Sequence, residues 1–321
     1  MRFVLGVDGG NTKTIALLVR EDGSVAGKGR AGCADPHAAP GSAAAVTEIA
    51  SAVGQALASA GLAAADVSSA AFSLAGADWE EDFVFLRDSI TARAGITSPQ
   101  VVNDSIGLLR CGSPETVGVA VAVGTGGAIG GRGPTGAVFH LGFWPEPTGG
   151  AALARAALRA VYRADLGLAP PTSLANRLCE TFGVASAREL LYVLNRREAS
   201  VPIEGKRLPA ILLDEADAGD PVSLAIVREN AQSLGRAARI TADEVGLRPS
   251  DPLVLGGGVL AHRSTLIEDE IAAVGGFDVV VRPQLEPAIG AVLIAFDGLG
   301  VEAPVDAVVA SLPERSFFAT A

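Results

Sequence analysis

The sequence predicts an α/β fold of two lobes, and three observations lead to this prediction. Two strand-turn-strand patterns with glycine-rich turns stand far apart in the chain. Segments typical of strands and of amphipathic helices alternate between and after them. The 321 residues are long for a single core, so two domains are expected, and we place them at 1–112 and 113–321.

The first hairpin is predicted from two apolar runs of strand length, 3–7 and 15–19. They are joined by the turn Asp8-Gly9-Gly10-Asn11-Thr12-Lys13-Thr14. Backbone N–H groups and hydroxyls of such a turn can face an anion, Lys13 can neutralise it, and Asp8 can hold hydrated Mg²⁺. The turn therefore predicts a phosphate site, and a simple glycine hairpin with chance polar residues is the alternative.

The second hairpin repeats this pattern later in the chain. The β-rich run 117–123 leads into the turn Gly124-Thr125-Gly126-Gly127, and a second run follows over 128–131. Neither turn matches the P-loop or the dinucleotide-binding fingerprint. Two phosphate-facing hairpins from two halves of the chain indicate one nucleotide held between two lobes.

The remaining elements of the first lobe complete a mixed sheet covered by helices. They are predicted at 24–29, 43–62, 70–74, 79–94 and 101–102. The helix over 79–94 is expected to turn Phe83, Phe85, Leu86 and Ile90 inward.

In the second lobe the apolar pattern predicts four helices and two strands. Their ranges are 149–163, 173–182, 187–195, 221–245, 253–255 and 279–281. A closing helix over 288–298 is expected to pack back against the first lobe. The stretch from Val301 carries no motif.

Asp104 is the candidate for proton transfer. Asn103-Asp104 stands at the carboxyl end of a predicted strand, where open α/β sheets place their ligands. A carboxylate there can accept the proton of a hydroxyl group that attacks a terminal phosphate. The alternative is that Asp104 caps the short helix that follows.

Two further features have both a binding and a packing interpretation. Gly256-Gly257-Gly258 after a strand allows the backbone to pass close under an adenine ring, or forms a strand-to-helix turn. Trp144 is expected either to stack on the face of a sugar or to anchor its loop. His37 is expected in a loop that can reach a cleft.

Composition excludes several classes. The net charge of −11 argues against a nucleic-acid partner, which requires a basic face. Cys33, Cys111 and Cys179 are far apart and form no C-x-x-C motif, so they predict reduced thiols and no cysteine metal site. The sequence contains neither a signal peptide nor an apolar run of about 18 residues, so we expect a cytoplasmic protein without membrane contact.

Four of these motifs, taken in order, resemble the N-acetylglucosamine kinase-like proteins of the BadF/BadG/BcrA/BcrD ATPase family, in the superfamily of sugar kinases, actin and heat-shock chaperones. They are the two glycine turns, Asn103-Asp104 and Leu255-Gly256-Gly257-Gly258-Val259. The resemblance implies two ribonuclease-H-like (actin-like ATPase) lobes with ATP and Mg²⁺ in the cleft between them.

The resemblance also implies roles for individual residues. Asp104 is the implied catalytic residue and Asp8 the implied metal ligand. The implied ATP phosphate-binding residues are Gly9, Gly10, Asn11, Thr12, Lys13, Gly124, Thr125, Gly126 and Gly127. Gly256, Gly257 and Gly258 are implied to bind adenosine. The implied sugar-binding residues are Asp35, His37, Gly76, Asp78, Asn103, Trp144 and Thr148.

One loop departs from the family pattern. Where many relatives carry Gly-Asp-Glu-Gly-Ser, this chain has Glu146-Pro147-Thr148-Gly149-Gly150, so an acidic pair is replaced. The expected activity is ATP-dependent phosphorylation of a hydroxyl of a hexose or amino sugar, with the sugar and a homodimer left open. The alternatives are a sugar or nucleotide sensor without turnover, and an ATPase activator of a dehydratase, which the scattered cysteines disfavour.

Overall fold

The structure is a computed structural model that describes residues 1–38, 40–142, 146, 148–195 and 207–319. The described residues form two five-stranded mixed sheets, with helices packed on both. This is the predicted α/β architecture. The predicted division between residues 112 and 113 stays a prediction.

The first sheet is built from the first third of the chain. Its strands are β1 (Phe3–Gly9), β2 (Thr14–Arg20), β3 (Val25–Ala31), β4 (Val67–Leu74) and β5 (Gln100–Asn103). Their order is β3-β2-β1-β4-β5, with β1, β2 and β3 antiparallel and β4 and β5 parallel to β1. The helices of this part are α1 (Ser42–Ala60), α2 (Glu80–Ala94) and α3 (Asp104–Gly112).

The second sheet repeats this topology. Its strands are β6 (Gly118–Val123), β7 (Gly127–Arg132), β8 (Val138–His140), β9 (Leu253–Gly256) and β10 (Val280–Val281). Their order is β10-β9-β6-β7-β8, again with three antiparallel strands followed by two parallel ones. Strands β1 and β6 are therefore equivalent, and each ends at a glycine turn.

The remaining helices come from the second part of the chain. They are α4 (Gly150–Asp165), α5 (Ser173–Phe182), α6 (Ala187–Asn195), α7 (Arg207–Asp217), α8 (Pro221–Glu244), α9 (Leu266–Gly275), α10 (Pro287–Leu299), α11 (Val305–Ala310) and α12 (Arg315–Phe318). Strand β8 and helices α7, α9, α11 and α12 were not predicted from the sequence. Phe85, expected to face inward, is 37% exposed, because the buried side of α2 consists of Leu86 and Ile90.

Both faces of the first sheet are buried, which explains the continuous apolar character of β1. Leu5 and Val7 belong to the apolar cluster shared with α1 and α2, whereas Val4 belongs to the cluster shared with α10. Successive side chains of a strand point to opposite faces, so a strand covered on both sides has no polar face.

Helices α3 and α10 form the layer between the two sheets. Helix α10 packs on β1 and β4, as the sequence predicted for the closing helix, and α3 packs on β6 and β7. The two helices cross so closely that a Cβ on Gly290 would lie 2.0 Å from the Gly107 carbonyl oxygen. Arg110 on α3 also donates to both carboxylate oxygens of Asp297 on α10, at 2.9 and 3.1 Å.

Among the described residues, no helix combines the length and the apolar character needed to cross a bilayer. Helix α10 is strongly apolar, and its buried residues contact the first sheet and α3.

The first prediction concerns the contact between α10 and β1. A Cβ on Gly6 would lie 2.3 Å from the Val292 backbone nitrogen, so Gly6→Ala forces the helix away from the sheet. We expect a loss of about 1–3 kcal/mol in the free energy of unfolding, measured by urea denaturation. The control is Gly54→Ala on an open side of α1, where nothing lies within 4 Å and a gain of about 0.5–1 kcal/mol is expected. Equal stability of wild type and Gly6→Ala contradicts the close contact.

Candidate active site

The two glycine turns meet at a cleft between the sheets. The cleft has a volume of about 850 Å³ and is lined by residues of both turns. The hydroxyl oxygens of Thr12 and Thr125 lie 3.4 Å apart across it. Because β1 and β6 occupy equivalent places in sheets of the same topology, the turns that follow them face each other.

In the first turn, Gly10 to Lys13 line the cleft and Gly9 does not. The Gly10 N–H donates to the Lys13 carbonyl over 2.9 Å, and the Gly10 carbonyl accepts from the Ala34 N–H over 3.0 Å, so the turn is fixed at its base. Gly9 is buried, and a Cβ there would lie 2.7 Å from the side chains of both Ala34 and Leu74. Gly9 therefore packs beneath the turn and does not face the cleft.

The second turn is fixed to the start of α4. The N–H groups of Gly150 and Ala151 donate to the carbonyls of Gly124 and Thr125, each over 2.9 Å. The positive end of the α4 dipole is thereby directed at the turn, where it favours an anion. Residues 124–127 line the cleft, whereas Thr148 lies behind Gly127 and outside the lining.

Asp104 is the first residue of α3, and its neighbour Asn103 caps the helix. The Asn103 Oδ1 accepts from the Ser105 N–H over 3.1 Å and from the Ser105 hydroxyl over 2.5 Å. The alternative that Asp104 is the cap is therefore wrong. Because Asn103 satisfies the helix terminus, the Asp104 carboxyl group lines the cleft.

Removal from water raises the pKa of several carboxyl groups in this cleft. The pKa of Asp104 is raised to about 7, first by burial and then by the charges of Asp8 and Asp78. The pKa of Asp78 is raised to about 6 by burial and by Asp35 and Asp82. Burial also raises the pKa of Asp8 to about 6, and the Lys13 ammonium opposes this shift. Asp104 can therefore exchange a proton near neutral pH.

Next to Asp104 the cleft wall is polar. Asp35, Gly76, Asp78 and Asn103 line it, and the Asn103 amide donates to Asp78 Oδ1 over 3.0 Å. The wall is completed by Gly142 from the second part of the chain, since a Cβ on Gly142 would lie 2.2 Å from Asp78 Oδ1.

His37 and Trp144 complete the predicted set of sugar-binding residues. His37 lies outside the lining, and its side chain is 55% exposed, with Nε2 3.4 Å from Asp82 Oδ1. The His37 backbone N–H donates to Asp35 Oδ1 over 2.8 Å. His37 therefore helps to hold Asp35 in the cleft wall without lining the cleft itself. Trp144 and Pro147 lie outside the described residues.

Gly257 and Gly258 also contribute to the lining, whereas Gly256 packs against Leu108. Gly257 has a φ of 103°, and a Cβ there would lie 2.5 Å from the Val123 carbonyl carbon, so no other residue fits without strain.

Sequence analysis missed part of this lining. Helix α7 contributes an apolar wall, and the segment before α10 contributes a polar one. The missed lining residues include Pro209, Ala210, Leu213, Val259, His262, Gln284, Glu286 and Phe318. The apolar residues of α7 recur at helical spacing, which offered a signal for the helix, but nothing in the sequence placed that helix at the cleft.

The fold and the cleft define the class of this protein: an α/β protein with two mixed sheets of the same topology and a cleft between them. The profile of the BadF/BadG/BcrA/BcrD ATPase family matches residues 5–295, and the chain belongs to this family. Both the fold class and the resemblance predicted from the sequence are thereby confirmed.

Individual relatives are distant but cover nearly the whole chain. The N-acetyl-D-glucosamine kinase of Dictyostelium discoideum is 24% identical over 310 residues, which is 91% of this chain and 97% of the relative. The crystal structure of a putative N-acetylglucosamine kinase from Chromobacterium violaceum is 21% identical with a TM-score of 0.70, and the match covers 92% of this chain and 99% of that one. A ROK family glucokinase from Streptomyces griseus, in complex with glucose and AMPPNP, is 22% identical with a TM-score of 0.56, and the match covers 91% and 98% of the two chains.

The second prediction follows from the raised pKa of Asp104. An aspartate in an unfolded chain titrates near pH 4, and Asp104 in the folded protein titrates near 7, so between these values the folded state binds more protons. Asp104 therefore contributes stability at low pH that is lost as the pH rises from about 4 to about 7. Because asparagine does not titrate, the Asp104→Asn variant does not lose this stability as the pH rises. We expect the variant to be at least as stable as wild type at pH 8, and to gain relative to wild type between pH 5 and pH 8.

Urea denaturation at pH 5 and pH 8 measures the free energy of unfolding of wild type and of Asp104→Asn. The difference between the two proteins cancels the contribution of groups that titrate outside the cleft. A variant that is less stable than wild type at pH 8 contradicts the raised pKa.

Proposed function

We propose that this protein is an ATP-dependent kinase that transfers the terminal phosphate of ATP to a hydroxyl group of a hexose or amino sugar. The observation that carries the proposal is the approach of the two turns, with Thr12 and Thr125 in contact, at a cleft that Asp104 also lines. The sugar kinases among its relatives support the acceptor class.

The two turns are assigned to the ATP phosphates. They offer backbone N–H groups, the hydroxyls of Thr12 and Thr125 and the Lys13 ammonium, all from residues that line the cleft. The adenosine is assigned to the part of the lining formed by Gly257-Gly258 and the apolar residues of α7. An extended nucleotide then runs from the α7 wall to the turns and presents its terminal phosphate to Asp104.

Mg²⁺ fits the donor set beside the first turn. The described residues contain no cluster of three His, Cys, Asp or Glu side chains arranged for a metal ion. A magnesium ion that shares phosphate oxygens requires only one or two carboxylates, and Asp8 lines the cleft next to the turn. When bound, Mg²⁺ neutralises phosphate charge. Asp8 is assigned to hold it.

Asp104 is assigned as the general base. Its pKa of about 7 allows it to take the proton of the attacking hydroxyl at neutral pH, and Asp35 and Asp78 accept hydrogen bonds from the other hydroxyls of the acceptor. Asn103 acts by orienting Asp78 through its amide. Positioning contributes about 7–11 kcal/mol to such reactions and a base about 3–5 kcal/mol, so most of the acceleration is expected from the cleft that holds both substrates.

The alternative of a dehydratase activator receives less support. A dehydratase activator requires cysteines that face an iron–sulfur cluster. Cys33, Cys111 and Cys179 are unbridged and lie in the loop after β3, in α3 and in α5. Burial raises the pKa of the Cys111 thiol to about 12, which disfavours the thiolate that ligates iron. A cytoplasmic location and a homodimer stay predictions.

The third prediction tests the base. ADP release is measured against a panel of hexoses and amino sugars, and with the best acceptor Asp104→Asn is expected to lower kcat by roughly 10²–10⁴-fold, because the amide cannot accept the proton. Nucleotide affinity is expected to stay within a few fold, since the phosphates contact the turns. The matched control is Asp88→Asn on the exposed side of α2, which is expected to leave kcat unchanged.

Unchanged turnover of Asp104→Asn removes its assigned role. A sensor gives a different result: the sugar raises the melting temperature of the wild-type protein, and no ADP is released with any sugar of the panel.

A further inference from the structure

The segment formed by α11 and α12, residues 305–319, reaches the mouth of the cleft. Phe318 and Ala319 belong to its lining. The Phe318 carbonyl accepts a hydrogen bond from the Lys13 ammonium, which lies in the first turn. A part of the chain remote in sequence therefore contacts the lysine that is assigned to the phosphates.

This segment is anchored firmly. The Phe318 ring is 5% exposed and belongs to the apolar cluster that β1, β2 and α10 form between them. The two Phe rings of α12 pack edge to face, with centroids 5.3 Å apart.

Strand β3 anchors the neighbouring residue. Arg30 donates to the Phe317 carbonyl over 2.9 Å, and the Lys28 ammonium lies 5.1 Å from the centroid of the Phe317 ring. Strand β3 and the apolar cluster thus hold the backbone that carries the Phe318 carbonyl in one place.

A fixed acceptor restricts a flexible cation. A lysine side chain loses up to about 2 kcal/mol of rotamer freedom when it is ordered, and this cost falls on ligand binding if the ligand has to order it. An ammonium carries three N–H donors, so donation to Phe318 is compatible with a further contact to a phosphate oxygen. The contact therefore orders the Lys13 side chain before an anion binds in the first turn, so that the ligand does not bear this entropic cost.

We propose that Phe318 is a positioning residue for nucleotide binding: its buried ring fixes the backbone carbonyl that holds the Lys13 ammonium at the phosphate turn. This inference rests on the proposed function, because it requires that the turn binds nucleotide phosphates. The opposite reading is that the segment keeps Lys13 away from the nucleotide and inhibits binding. The two readings predict opposite signs for the same variant.

The fourth prediction uses the full chain and a double-mutant cycle. The affinity of AMPPNP with Mg²⁺ is measured by titration calorimetry for wild type, Phe318→Ala, Lys13→Met and the double variant. We expect Phe318→Ala to weaken binding roughly tenfold, the size of a lost hydrogen bond to a charged group. In the Lys13→Met background the same change is expected to have less than a twofold effect, because the ring acts through the ammonium.

Two controls separate positioning from loss of stability. Val19→Ala removes apolar groups from the same cluster on β2, and it is expected to lower the melting temperature without changing nucleotide affinity. Phe318→Leu keeps an apolar anchor and is expected to restore affinity to within about twofold of wild type. If Phe318→Ala does not fold, Arg30→Gln loosens the Phe317 carbonyl instead and is expected to weaken binding about threefold.

Each failure has its own signature. Wild-type protein that binds no nucleotide overturns the proposed function. Wild-type protein that binds, together with a Phe318→Ala variant of unchanged affinity or an equal effect in the Lys13→Met background, overturns the positioning role alone. Tighter binding by Phe318→Ala supports inhibition by the segment and likewise overturns it.

Discussion

The close packing of α3 against α10 is the constraint on which the cleft depends. These helices separate the two sheets, and the Gly107 and Gly290 backbones approach so closely at their crossing that a Cβ on Gly290 has no room. Because α10 packs on the first sheet and α3 packs mainly on the second, their separation helps to set the distance between β1 and β6. The turns after these strands can then face each other with their threonine hydroxyls 3.4 Å apart.

The same packing determines the chemistry of the cleft. Helix α3 begins with Asp104, and Asn103 both satisfies the helix terminus and donates to the Asp78 carboxylate. Partial removal from water raises the pKa values of Asp8, Asp78 and Asp104 together. A cluster of carboxyl groups with raised pKa values weakens the fold at neutral pH, and such clusters are typical of sites where function outweighs stability.

Local patterns predicted the elements that carry the site with good accuracy. The runs 3–7 and 15–19 became β1 and β2, and the glycine turns occupy the cleft, because strand periodicity and turn chemistry are properties of neighbouring residues. The helices α7 and α9 and the short segment with α12 were missed. Where these segments pack depends on contacts with distant elements, as Phe318 shows by packing with β1, β2 and α10.

The sequence by itself determined the class of fold, the family and the two glycine turns, since each depends on residue types at short spacing. Only the tertiary structure decided which glycines face the cleft, that Asn103 and not Asp104 caps α3, and that Lys13 contacts Phe318. These facts depend on backbone direction and on the approach of segments far apart in the chain. A pattern of neighbouring residues does not encode such an approach, because it results from the packing of the whole core.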